Sequence, residues 1–74
     1  MIKLEDFENY IEVIELASYH VKSIVIQLVL EVNVSDCTTV YKVVVMNNKS
    51  IESADHKTLE SAIYHYNKKI EQLD

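Results

Sequence analysis

The chain has 74 residues, 49% of them apolar, and a formal net charge of −5. It contains neither glycine nor proline, which excludes glycine-rich phosphate loops and dinucleotide fingerprints and leaves turns to Asn, Asp and Ser. The length makes one small domain, residues 1–74; no apolar run approaches the ~20 residues of a membrane helix, and with no basic stripe direct nucleic-acid binding is not expected.

Leu4 to Val21 read as a first helix. Leu4, Phe7, Ile11, Ile14 and Val21 follow three-and-four spacing, and Tyr10 and Ala17 widen the stripe. Asp6 is a candidate N-cap, with a start one turn earlier as the alternative. Glu5, Glu8, Glu12 and Glu15 share the spacing, so on a helix they fall in one narrow arc, which Tyr19 continues. Met1 to His20 hold five acids and one lysine, a balance of −4 and most of the charge excess.

Ile24 to Met46 read as one long hairpin. From Ile24 to Val34 every even position is apolar: Ile24, Ile26, Leu28, Leu30, Val32 and Val34. This period of two, with its β-branched residues, predicts a strand. Ser35, Asp36, Cys37 and Thr38 form a polar turn cluster, and Thr39 to Met46 make the return strand. A four-residue loop at Ser35 to Thr38 pairs Val34 with Thr39, Val32 with Tyr41, Leu30 with Val43 and Leu28 with Val45. It also places Glu31 opposite Lys42.

Asn47-Asn48-Lys49 signals the next turn, and Ser50 to Ser53 read as a short third strand. Asp55 then stands as N-cap of a last helix. Leu59, Ala62, Ile63, Tyr66, Ile70 and Leu73 line one face of it, and Tyr64 points outward. Lys68 and Lys69 complement its dipole near the C-terminal end.

The expected fold is α+β: helix, three-stranded antiparallel sheet built from the long hairpin and a short third strand, helix, with both helices on one sheet face. The other face then shows Val25, Val29, Val40, Val44 and Met46, relieved by Gln27, Glu31 and Lys42. Apolar surface on that scale marks an interface, here one that makes a homodimer.

No residue set predicts catalysis, a cofactor or a metal site. His20, His56 and His65 do not pair at helical ligand spacing and read as solvent-facing, and no HExxH or CxxC occurs. Cys37, the single cysteine, cannot close an internal disulfide and has no local signature of an activated thiol. The glutamates lie on a predicted helix flank rather than in a desolvated cleft that would tune them for acid–base work. They read either as a solvated face or as a stripe for a basic partner surface.

The helix–three strands–helix order resembles the double-stranded RNA-binding domain in topology. That family reads RNA through basic residues opening its last helix; here the segment is Asp55-His56-Lys57-Thr58-Leu59-Glu60, so its function is not carried over. Tyr41-Lys42-Val43-Val44-Val45-Met46-Asn47-Asn48-Lys49-Ser50-Ile51-Glu52-Ser53, followed by Leu59-Glu60-Ser61-Ala62-Ile63-Tyr64-His65-Tyr66-Asn67, is similar to a strand–turn–strand–helix pattern of small phage-encoded proteins. Size, acidity and element order also resemble type II-A anti-CRISPR inhibitors, which occupy a nuclease where it would bind DNA. That resemblance implies a non-enzymatic phage or mobile-element inhibitor in the host cytoplasm. No residue carries over from that family; the arc of Glu5, Glu8, Glu12 and Glu15 continued by Tyr19, with the outward Tyr64, is the set that would meet a basic protein surface as a DNA mimic. The alternative is a homodimeric structural or adaptor module assembling through the exposed sheet face.

Overall fold

The computed structural model describes residues 1–8 and 10–73. After a short 3-10 turn at Leu4–Phe7 come four strands: β1 (Ile11–Val21), β2 (Ile24–Asn33), β3 (Thr38–Met46) and β4 (Ile51–His56). One helix, α1 (Leu59–Glu71), follows. The strands form one antiparallel sheet in the order β1-β2-β3-β4.

The expected helix–three strands–helix fold is therefore corrected to a four-stranded meander with a single C-terminal helix. Most of the segment read as the first helix is β1. Its β-branched residues, Ile11, Val13, Ile14 and Val21, suit a strand. The alternation is hidden by a bulge. Glu15 lies opposite Val29 and Ala17 opposite Leu28, which leaves Leu16 as the extra residue. Glu12 and Ile14 share the α1 side of the sheet before the bulge, and Ala17, Tyr19 and Val21 share it afterwards. The step from Ile14 to Ala17 across the bulge has the length of a helical i,i+3 step.

The β2–β3 hairpin forms with its predicted faces but in a register two residues away. Leu28 lies opposite Val43, Leu30 opposite Tyr41 and Val32 opposite Thr39. An even shift preserves side-chain parity, so Ile26, Leu28 and Val43 still face the core. Turn chemistry explains the shift. Asn33 Oδ1 accepts from the Ser35 backbone N–H at 3.2 Å and from its hydroxyl at 2.9 Å. Asp36 Oδ1 accepts from the Thr38 N–H at 3.0 Å and from Thr38 Oγ1 at 2.7 Å. Cys37 adopts a left-handed φ of 60°. Together these place the loop at residues 34–37, one position earlier than expected.

The third strand of the sequence reading is longer than expected. It runs on through Asp55, which faces Lys42 in the ladder instead of capping a helix. Thr58 takes the cap, its side chain accepting from Ser61 N–H at 3.2 Å. The turn before β4 follows the asparagine signal: Asn47 Oδ1 accepts from the N–H groups of Lys49 and Ser50, each at 2.8 Å.

Ile26, Leu28, Val43 and Ala62 form the buried core, with Tyr19, Tyr41, Tyr66 and Ile70 packed around them. Ala62 is the fully buried residue of α1, at 0% exposure. α1 packs across β2, β3 and β4 on one face only. The molecule measures 51 × 26 × 16 Å, with a radius of gyration of 14.5 Å. A compact domain of this length would have about 11 Å. A single 13-residue helix cannot cover a sheet with a strand of 11 residues.

Candidate interaction surface

The face away from α1 has no second layer, yet one of its residues is buried. Val29 is only 6% exposed. It lies between Glu15 on β1 and Lys42 on β3, and Gln27 and Glu31 flank it along β2. These side chains close over it. Gln27 Nε2 donates to Glu15 Oε1 at 3.2 Å, and Lys42 Nζ reaches Glu31 at 3.1 Å and Asp55 at 3.6 Å. The Glu31–Lys42 pair expected from the sequence is present as a diagonal neighbour: Val29, not Glu31, lies opposite Lys42. The Glu31 carboxylate, then Asp55, hold the Lys42 ammonium above its ordinary pKa despite some desolvation.

The expected dimer face is thus less open than its residues implied. Val25, Val40, Val44 and Met46 are half-buried and Val29 is buried. Within the sheet the open apolar surface lies mainly along β1, and Met1, Ile2 and Leu4 ahead of it are exposed as well. Ile11, Val13, Ile14 and Leu16 are 52%, 57%, 45% and 44% exposed, and Tyr10 beside them is also exposed. Ile11 and Val13 lie on the outer face, and Ile14 on the α1 side. At the far edge of the sheet Ile51 is exposed as well. Apolar side chains of β1 are exposed on both faces because it has a neighbouring strand on one side only.

The acidic stripe does not survive as a stripe. Glu5 and Glu8 belong to the N-terminal turn region and line one concavity of about 650 Å³ with Lys3, Leu4 and Ser35. Glu12 and Glu15 fall on opposite faces of β1, because their odd spacing on a strand separates what a helix would align. Tyr19 is half-buried against the core, whereas Tyr64 is exposed as expected, with Lys68 Nζ 5.5 Å from its ring centroid. The nearby Glu12 carboxylate raises the pKa of the Tyr10 phenol.

A second arrangement was not legible in the sequence. His56, at the end of β4, and His65, on α1, meet with Nε2 of the first 2.9 Å from Nδ1 of the second. His56 Nδ1 lies 2.8 Å from Ser61 Oγ. Both rings are half-buried rather than solvent-facing. Burial, then the neighbouring His56 and Lys69, depress the His65 pKa. The nine-residue separation gives no motif, and the pair forms only because β4 runs to His56 and Thr58 starts the helix. Among the described residues no group of three or more His, Cys, Asp or Glu side chains is placed to hold a metal ion. Cys37 is exposed and free. No helix among them is long and apolar enough to cross a membrane.

No protein-family model, curated protein or solved structure matches this chain. Fold and surface alone define its class: a small α+β protein with an antiparallel meander half-covered by one helix.

Proposed function

We propose that this chain is a non-enzymatic structural or adaptor module that works as a homodimer, assembled through the part of the sheet that its one helix leaves open around β1. The observation that carries the reading is the excess of exposed surface. The accessible area is 5609 Å², whereas a compact monomer of 8.6 kDa has about 4,700 Å². The excess, about 900 Å², is close to the ~800 Å² that each partner gives up in a stable interface. Much of it is apolar, and burying such surface is the main favourable term in association. Sedimentation equilibrium tests the reading: a mass of two chains is expected at tens of micromolar, and a monomer at several hundred micromolar overturns it.

The second reading is the acidic inhibitor, resembling phage anti-CRISPR proteins and acting in the host cytoplasm. The exposed acids Glu5, Asp6 and Glu8 at the N-terminal turn favour it, together with the net charge of −5. With Glu12 and Glu15 on opposite faces, the contact with a basic partner falls to Glu5 and Glu8. Reversing those two to lysine then abolishes salt-sensitive binding to a nucleic-acid-handling partner while the circular dichroism is unchanged. Undiminished binding by the folded double variant rules this reading out.

A further inference from the structure

We infer that the second copy docks edge to edge, its β1 pairing antiparallel with this β1, so that the dimer carries one continuous eight-stranded sheet. This rests on the homodimer reading and specifies its geometry. Face-to-face stacking through the outer valines is the competing arrangement. The polar side chains closed over Val29 disfavour stacking, because stacking would strip water from the Lys42–Glu31–Asp55 cluster.

The two sheet edges differ. β4 has six residues, Ile51–His56, and carries Glu52, Ser53 and Asp55, the short polar edge that resists pairing. β1 has 11 residues and neither lysine nor proline within it. Its bulge at Leu16 bends the strand without adding a charge. Among the described residues no strand pairs with its side away from β2, the arrangement that templates strand addition.

β2 shows what flanking does in this sheet. With a strand on each side it buries Leu28 under α1 and Val29 on the unlayered face. A neighbour beyond β1 would do the same for Val13 and Ile14, which point to opposite faces. Only edge pairing covers both at once.

Charge selects the occupant and its direction. Glu12 and Glu15 lie in the first half of β1, with His20 near its other end and Lys22 in the turn just beyond it. Antiparallel self-pairing brings the acidic end of each copy beside the basic end of the other. Parallel pairing would align Glu12 with Glu12. A net-acidic chain is therefore self-complementary along this strand.

Amide hydrogen exchange of the wild-type protein, followed by NMR at a concentration where sedimentation shows the dimer, tests the geometry. In an unpaired antiparallel edge strand only alternate N–H groups are bonded, so protection alternates along β1. Edge pairing protects consecutive amides over residues 11–15, with the outward set exchanging about a hundredfold slower than at monomeric dilution. A populated dimer in which β1 keeps the alternating pattern overturns the edge geometry and leaves the homodimer reading standing. A monomer at every concentration overturns both. As a second check, Val13→Lys with Ile14→Lys is expected to sediment as a folded monomer and Val44→Lys as a dimer; the reverse result assigns the interface to the outer face.

Discussion

At the scale of single residues, the backbone of Lys22 and the charge state of His65 each lead to a measurable consequence. Lys22 holds a left-handed φ of 54° in the two-residue turn between β1 and β2, where hairpins favour glycine or asparagine. A left-handed residue with a Cβ costs about 1–2 kcal/mol, partly offset in a glycine variant by unfolded-state entropy. Lys22→Gly is expected to raise unfolding stability by roughly 0.5–1 kcal/mol in a urea titration. A destabilised variant would mean that the lysine side chain, not its backbone, matters there. His65 gives the chain a pH dependence. Its pKa is depressed in the folded state by burial, by His56 and by Lys69, so the unfolded chain binds the proton more readily. Its contribution to stability is full above the ordinary histidine pKa of about 6.5 and is lost as pH falls through the depressed value. Once both facing nitrogens are protonated, neither can accept, and the 2.9 Å contact is broken. Urea midpoints measured between pH 7.5 and 5 should fall for the wild type and flatten for His65→Gln; equal slopes would remove His65 as the source.

At the scale of elements, α1 is held at its start by Thr58 and along its length by one narrow face around Ala62. Thr58→Ala is expected to cost about 1 kcal/mol, measured as a loss of thermal stability. Thr58→Ser should recover most of it, since the hydroxyl remains to accept from Ser61. This helix was legible in the sequence, because Leu59, Ala62, Ile63, Tyr66 and Ile70 follow its period without interruption. The two faces of β2 and β3 were legible for the same reason, with a period of two. β1 was not. Its bulge at Leu16 shifts the alternation by one, and Lys22 makes a turn with a residue that does not announce one. The helical arc of Glu5, Glu8, Glu12 and Glu15 went with it, because angular position depends on which period the backbone adopts.

At the scale of the whole molecule, a four-stranded sheet half-covered by one helix has too little interior for its area. If association completes it, folding and dimerisation are linked, and the thermal midpoint rises with protein concentration. A midpoint that stays constant over a hundredfold range of concentration would show a self-sufficient monomer. What the sequence determined by itself follows from local periodicity and composition: an antiparallel hairpin with one apolar face, a C-terminal amphipathic helix, turn clusters around Asp36 and Asn47, and an acid excess near the N-terminus. Tertiary structure decided the rest. The β2–β3 register moved by two residues, which parity cannot detect, because side-chain hydrogen bonds in the loop set it. The His56–His65 contact depends on where a strand ends and a helix begins. The exposure of β1 on both faces depends on its having a neighbour on one side only, and an edge is a property of the assembled sheet rather than of any stretch of chain.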